Sequence, residues 1–321
     1  MKTKYFLLTI AAFFSCVSLA NAQNYTVSQT ETSRLQNKKV LLLQDDAKQK
    51  NIIVFQTKLR VNTEGLPFSY HSQDPRGRDK ALKNICSAIT VTKEGSDKNL
   101  CFTNFPEAIR TFEQFRDANY QTVPPKRRLT WTNELALRKE NGKDVPCVLQ
   151  SGAFKGYFGS LTTLKNGLTK DKGECDINNQ VNPLTVPTLV LVGGENVVKK
   201  FGAKVGDLVV AYNPTTKLSS TAIIGDTGTR EDLGEGSVAL NMKLLGVTAP
   251  PTNKVELNKL SIENTQVLVA IIPASGSFKE SKPYTMESIM QRVEAWQKES
   301  GFATPEKFIE FMKSFQAQMT P

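Results

Sequence analysis

The sequence predicts an α+β protein, in which a β-rich core sheet or barrel-like domain carries a C-terminal helical tail. Short apolar runs bounded by glycine, proline and asparagine recur between residues 40 and 272, as is typical of strands. After residue 284 the apolar residues recur every three or four positions, as is typical of helices. The stretch 205–246 joins two predicted strands to a helix and contains two carboxylates beside glycine, Asp226 and Glu235.

The first 22 residues have the features of a secretory signal peptide. Lys2 and Lys4 precede an apolar run over 5–19, and Ala-Asn-Ala at 20–22 is a small-residue cleavage site. The run is too short to span a bilayer, which takes about 20 apolar residues, and no later stretch is that long. We therefore expect cleavage after Ala22 and a secreted or periplasmic protein without stable membrane insertion.

The composition limits the partners. Removal of Lys2 and Lys4 with the signal peptide lowers the formal net charge of +10 by two. The remaining basic residues are mixed with acidic ones and form no aromatic-rich stripe, so we expect no nucleic-acid partner. A basic exported protein can be attracted to anionic polymers, although solubility alone explains the same charge.

Four cysteines remain after cleavage, and an even count in an exported protein predicts two disulfides. Three pairings are possible. We favour Cys86–Cys101 and Cys147–Cys175, because each pair closes a local, loop-rich segment. The alternative is that one pair remains as buried thiols.

The single histidine, His71, restricts the possible chemistry. A zinc site with two histidines is excluded, and a Ser-His-Asp or Cys-His site would have to use His71. The sequence contains no GxxxxGK[ST] phosphate loop and no GxSxG elbow, and we expect neither a metal nor another cofactor. Carboxylate pairs remain, and these are the catalytic groups of most glycoside hydrolases.

In the first half of the chain, the polar segment 23–39 is predicted to be a loose N-terminus. Strands are predicted at 40–43 and 52–59. Residues 61–79 are rich in proline, glycine and aspartate, which indicates an ordered loop. Helical spacing of apolar residues predicts a helix within 105–120.

In the second half, four predicted strands form much of the core sheet: 187–192, 207–212, 218–224 and 265–272. Pro187 can occupy only the start or the edge of its strand. The sequence does not decide between a barrel and a sandwich. A helix is predicted from Tyr284, and another runs from the N-cap Thr304 to about Gln318. We expect one domain over 23–278 and a helical extension over 279–321.

Asp226 and Glu235 suit acid–base chemistry. Asp226 follows an apolar strand, so burial is expected to raise the pKa of its carboxyl group. Glu235 is expected in the first turn of a helix that opens at Gly234, where the helix dipole favours the charged form. This local argument makes Asp226 the acid and Glu235 the base. The same residues also suit a structural turn and helix-dipole compensation, which spacing alone favours.

Several motifs extend this pattern: Gly156-Tyr157-Phe158, LTVPTLVLVGG at 184–194, VGDLVV at 205–210, and IIGDTG at 223–228 followed by GEGSVAL at 234–240. Together they resemble the fungal-type chitosanases, glycoside hydrolase family 75. Upstream, GLPFSYHSQDP at 65–75 and KALKNICSAITV at 80–91 are similar to the bacterial members.

The resemblance implies a secreted, endo-acting and inverting glycoside hydrolase that cleaves β-1,4 bonds in chitosan or a related amino-sugar polysaccharide. It places catalysis on Asp226 and Glu235, with the glutamate as the customary proton donor. That assignment is opposite to the local argument, so the two roles stay open. It also implies substrate binding by residues within the motifs: Tyr70, His71, Tyr157, Asp207, Thr227 and Ser237.

The chain departs from the family at Asn182 and at 62–65 (Asn-Thr-Glu-Gly), where family members often have acidic residues. Because chitosan is a polycation, these departures and the basic charge leave a neutral or anionic amino-sugar polymer open. Two other functions remain open. One is a non-catalytic carbohydrate- or cell-wall-binding protein on the same fold. The other is a scaffold that exposes Phe308, Phe311 and Phe315 to a partner. We expect a monomer that binds a polysaccharide.

Overall fold

The structure is a computed structural model that describes residues 24–33, 37–47, 49–167, 173, 175–228 and 233–319. The predicted signal peptide and its cleavage site lie outside the described residues. Within these ranges, no helix is long and apolar enough to cross a membrane.

The described residues form twelve strands and eight α-helices. The strands are β1 (Tyr25–Thr32), β2 (Lys39–Asp45), β3 (Asn51–Asn62), β4 (Ile89–Lys93), β5 (Arg127–Trp131), β6 (Leu137–Glu140), β7 (Lys143–Pro146), β8 (Thr188–Leu191), β9 (Leu208–Asn213), β10 (Leu218–Thr227), β11 (Glu235–Ser237) and β12 (Ile262–Ile272). The helices are α1 (Leu100–Thr103), α2 (Phe105–Asp117), α3 (Val197–Lys200), α4 (Val238–Leu245), α5 (Lys254–Asn258), α6 (Met286–Glu299), α7 (Pro305–Ser314) and α8 (Gln316–Met319).

Six strands close into a barrel. β3 pairs with β12 along one edge, and along its other edge it pairs first with β2 and then with β11. From β11 the order continues through β8, β10 and β9 back to β12. The predicted α+β class with a C-terminal helical tail is confirmed, and the core is a barrel. Each predicted core strand coincides with an observed strand or extends at most one residue beyond it. Pro187 directly precedes β8, as expected.

The interior of the barrel is apolar because alternate residues of its strands point inward. These inward residues include Ile53, Phe55, Leu189, Leu191, Val209, Ile224 and Val269. α4 adds Leu240 and Leu244 to the same cluster. Full burial of one such side chain contributes about 1.5–3 kcal/mol.

The helices α6, α7 and α8 cover an outer face of the barrel. Thr304 caps α7 as predicted, since its hydroxyl accepts a hydrogen bond from the Lys307 amide at 3.3 Å. Trp296 and Phe308 are buried with Leu268 in a second apolar cluster. Phe308 is fully buried, and Phe311 and Phe315 pack partly buried against this cluster. The exposed phenylalanine surface that the scaffold hypothesis requires is therefore not found.

Residues 25–32 form a strand, and the prediction of a loose N-terminus is wrong for this segment. β1 pairs antiparallel with β2, from Tyr25 opposite Asp45 to Thr32 opposite Lys39. Most of its side chains are polar and not buried, so the apolar pattern carries no signal for this strand. Its backbone hydrogen bonds and the buried Tyr25, which stacks on Phe302 with ring centroids 5.8 Å apart, hold it in place.

The segment 85–158 has an apolar core of its own, in which Phe112 contacts both Trp131 and Phe158. The disulfide Cys86–Cys101 lies within this segment, and Cys147–Cys175 joins it to the chain beyond, with Cα–Cα distances of 5.5 and 5.4 Å. The favoured pairing is therefore confirmed. Disulfides persist mainly in oxidising compartments, which agrees with an exported protein.

Gly234 is required where the chain enters β11. Its φ is +144°, and a Cβ atom at this position would lie 2.0 Å from the carbonyl oxygen of Lys58. Gly234→Ala is therefore expected to lower the free energy of unfolding by more than about 2 kcal/mol, measured by urea denaturation. Gly95→Ala is the matched control, because Gly95 has φ +74° with no atom within 4 Å of a built Cβ. Its cost should be only about 1 kcal/mol, from backbone strain. Equal losses in the two variants would contradict the steric explanation.

Candidate active site

The candidate site lies on the outer face of the barrel, across the adjacent strands β10, β8 and β11. Both neighbours of Val190 on β8 point into the barrel, so Val190 points outward. Asp226 on β10 is in register with Val190. On the other side of β8, the antiparallel pairing of Gly236 with Leu189 places Glu235 beside Val190. The two predicted catalytic carboxylates therefore flank one residue on the same face.

The strand spacing fixes the distance between the backbones of the two carboxylate residues. The backbones of Asp226 and Glu235 are two inter-strand spacings apart, roughly 9–10 Å. Gly228 lies close to Val190 and Glu235, since a Cβ built on it would be 3.2 Å from Val190 Cγ1 and 3.9 Å from Glu235 Oε2. Inverting glycosidases hold their two carboxyl groups roughly 6.5–9.5 Å apart, and side chains from backbones at this separation can reach that spacing.

A bulge in β10 turns Asp226 outward. The register with β8 shifts between Ile224 and Asp226, at Gly225. A Cβ atom on Gly225 would lie 2.5 Å from Thr188 Cγ2, so only glycine allows this approach. The carbonyl oxygen of Gly225 accepts a hydrogen bond from the Leu164 amide at 2.9 Å, which brings the segment 160–164 against the end of β10.

Three donors converge on one oxygen of Asp226. Oδ1 accepts hydrogen bonds from the Thr163 amide at 3.0 Å, the Thr163 hydroxyl at 2.7 Å and the Thr227 amide at 2.8 Å. Among the described residues, none donates to Oδ2. Oδ2 is therefore the oxygen that can carry a proton and present it to a ligand.

Burial raises the pKa of Asp226 above its ordinary value, as the sequence predicted. The hydrogen bonds from Thr163 and Thr227 act in the opposite direction without cancelling this effect, and the negative charge of Glu64 raises the pKa further. Thr163 and Thr227 are themselves exposed, so a partly buried carboxyl group lies beside an open rim.

Glu235 is in a strand, and the prediction that it begins a helix is wrong. α4 starts at Val238, and its N-cap is Ser237, whose hydroxyl accepts from the Leu240 amide at 3.2 Å. Because Gly236 pairs with both β3 and β8, the sheet extends through Glu235. The helix dipole therefore does not explain the properties of Glu235. Its side chain is partly exposed, and no donor to it is found among the described residues.

The sequence argument treated Glu64 only as a departure from the family, but the structure places it close to the site. Its carboxylate accepts hydrogen bonds from the Tyr70 hydroxyl at 2.9 and 3.1 Å and forms an ion pair with Lys83. Thr163 was also missed, because it contacts Asp226 across 63 residues of sequence. The glutamate and glycine at 64–65 could have drawn attention to this turn, whereas nothing local marks Thr163.

The remaining residues predicted to bind substrate differ in position. Tyr70 is fully buried beneath Glu64, and Thr227 lies on the exposed rim. Asp207 is 1% exposed and accepts hydrogen bonds from the amides of Lys204 and Gly276 at 2.8 and 3.0 Å. Ser237 is equally buried, and besides capping α4 it accepts from the Thr188 amide at 2.9 Å. Asp207 and Ser237 thus hold the backbone around the site.

His71 and Tyr157 pack against each other, with ring centroids 4.5 Å apart and planes at 88°. His71 Nδ1 accepts from the Gln73 amide at 3.0 Å, and the Tyr157 hydroxyl donates to the Lys80 carbonyl at 3.0 Å. Burial lowers the pKa of His71, and the positive charge of Lys80 lowers it further. His71 is therefore a neutral, buried ring that supports Tyr157, which is partly exposed.

Within the described ranges, no group of three or more His, Cys, Asp or Glu side chains is arranged to hold a metal ion. Glu64, Asp226 and Glu235 are therefore neighbouring carboxylates without metal-ligating geometry.

No protein-family model matches the chain, and no curated protein matches it.

Replacement of Asp226 should show the cost of its buried charge. Asp226→Asn keeps Oδ1 for its three donors and removes the charge, so we expect a higher melting temperature at pH 7 than in the wild type. Because burial raises the pKa of Asp226, the wild type loses stability as pH rises through that pKa, and the difference should shrink toward acidic pH. Calorimetric melting from pH 3 to 8 measures this. A variant less stable than the wild type at neutral pH would contradict it.

Proposed function

We propose that the chain is a secreted glycoside hydrolase that cleaves β-1,4 bonds within chitosan or a related amino-sugar polysaccharide, by an inverting mechanism. One observation carries the proposal: Asp226 and Glu235 flank Val190 on the same face, two strands apart. Two carboxyl groups on either side of a glycosidic bond are what this reaction requires. The paired disulfides support the exported location.

Asp226 is the general acid in this proposal. Its raised pKa keeps the carboxyl group protonated at higher pH than usual, and Oδ2 has no donor among the described residues. A proton on Oδ2 can pass to the leaving glycosidic oxygen.

Glu235 is the general base. No described residue donates to its carboxylate, which is therefore available to accept a proton from water. That water attacks the anomeric carbon from the face opposite the leaving group, so the configuration inverts. The role of Asp226 as the acid agrees with the argument from burial in the sequence analysis. Both roles are the reverse of those customary in the chitosanase family that the sequence resembles.

The carboxylate pair is tested by the isosteric variants Asp226→Asn and Glu235→Gln. Each should lower the release of reducing ends from chitosan about 100-fold or more, because each removes a group that transfers a proton in the transition state. Asp144→Asn is the control, since Asp144 on β7 is exposed and forms an ion pair with Lys139 on β6. Folding is checked by circular dichroism. Full activity in either site variant would contradict the assignment of Asp226 and Glu235 as the catalytic pair.

The division of roles is tested with aryl glycosides of chitosan oligomers that carry a nitrophenolate leaving group. Such a leaving group departs without protonation, so loss of the acid should matter little and loss of the base should still abolish turnover. We expect Asp226→Asn to recover activity on this substrate and Glu235→Gln to remain inactive. Recovery by Glu235→Gln alone would make Glu235 the proton donor.

A non-catalytic carbohydrate-binding protein is the second candidate, and an aromatic row favours it. Phe68 stacks on Phe154 with centroids 6.3 Å apart, and Phe154 contacts Tyr157 at 6.5 Å. All three rings are partly exposed and offer apolar faces to a sugar ring. Binding of chitosan by the wild type in a pull-down, without any release of reducing ends, would select this candidate over the hydrolase.

A further inference from the structure

Glu64 occupies the turn that follows β3, next to the segment that holds Asp226. The side chain of Glu64 is only 14% exposed. The Gly65 amide donates to Ser160 Oγ at 2.9 Å, and Ser160 Oγ lies 3.5 Å from Glu64 Oε2. Three residues after Ser160, Thr163 supplies two of the three donors to Asp226. The turn of Glu64 is thus bonded to the segment that orients Asp226.

The carboxylate of Glu64 has two close partners, Tyr70 and Lys83. The Tyr70 hydroxyl donates to both carboxylate oxygens, and the Lys83 ammonium forms an ion pair with Oε1. Burial raises the pKa of Tyr70 well above its usual value, and the charge of Glu64 adds to this. Tyr70 therefore remains a hydrogen-bond donor over the working range of pH, and the negative charge of Glu64 is held in a fixed place.

Other charged groups also lie around the site. Glu235 lies across β8 from Asp226, and Arg60 is in register with Glu235 on β3. Lys165, beyond Thr163 in the same segment, donates to a glutamine oxygen at 2.9 Å. Glu134 acts on the phenol of Tyr70. The negative charge of Glu64 adds to the effect of burial in raising the pKa of Asp226.

We propose that Glu64 is a third functional carboxylate of this site, a positioning residue that Tyr70 and Lys83 hold in place and whose turn is hydrogen-bonded to Ser160, in the segment from which Thr163 orients Asp226. This inference rests on the proposed hydrolase function and names what tunes its acid. The positive charge of the Lys83 ammonium offsets part of the negative charge of Glu64. The turn at 64–65 thereby helps to fix the segment that places Thr163 against Asp226.

Two variants with opposite expected effects test the proposal. Glu64→Gln keeps the size and removes the charge, so the carboxyl carbon of Asp226 should titrate at lower pH than in the wild type. Lys83→Met leaves the Glu64 charge less compensated, so Asp226 should titrate at higher pH. The titration is followed by carbon NMR with carboxyl-labelled aspartate and needs no substrate. Glu140→Gln is the control, since Glu140 is exposed and pairs with Arg138 on β6.

The pH dependence of kcat/KM provides the second readout. The limb set by Asp226 should move to lower pH in Glu64→Gln and to higher pH in Lys83→Met, with no movement in Glu140→Gln. An unchanged Asp226 titration in Glu64→Gln, or shifts of the same sign in both variants, would overturn the inference. If Glu64→Gln does not fold, Lys83→Met decides alone. Opposite NMR shifts in a protein without hydrolase activity would leave the inference standing and reject the proposed function.

Discussion

β3 is hydrogen-bonded along both of its edges, and the closure of the barrel depends on this. Its 12 residues are long enough to pair with β12 on one side and with β2 and then β11 on the other. β11 has only three residues, so closure relies on a short stretch whose entry needs the backbone conformation of Gly234. Glu235 emerges at this closure point. The geometry of the carboxylate pair therefore follows from the way in which the barrel closes.

Burial, rather than a helix dipole, distinguishes the two carboxylates. Asp226 is partly desolvated at the bulge of β10 and is held through one oxygen, while Glu235 stands on a strand with no donor among the described residues. The proposed acid–base roles require such different environments, because one carboxyl group must keep its proton while the other loses it. Tyr70 and Lys83 hold Glu64 in place, and the negative charge of Glu64 raises the pKa of Asp226 further.

Local sequence patterns predicted the elements that bury apolar side chains. The core strands, the Thr304 cap and both disulfide pairs follow from apolar runs, capping residues and short cysteine spacings. β1 was missed because its exposed side chains are polar and its backbone pairing leaves no apolar pattern.

The details of the site were less predictable, because they depend on contacts between distant parts of the chain. Gly-Glu-Gly-Ser before an apolar run is typical of a helix start, but pairing of Gly236 with two strands makes Glu235 part of the sheet. The contacts of Glu64 with Ser160 and of Thr163 with Asp226 join segments 96 and 63 residues apart. No local pattern reports such contacts. The sequence could therefore single out Asp226 and Glu235, but not the residues that contact Asp226 or its neighbours.

The most direct measurement is the anomeric configuration of the first product formed from a β-1,4-linked chitosan oligomer, followed by proton NMR before mutarotation. If Asp226 and Glu235, on strands two spacings apart, act as the proposed inverting pair, the α anomer appears first. Initial release of the β anomer would contradict the inverting geometry of Asp226 and Glu235. An oligomer that stays intact would contradict the hydrolase itself.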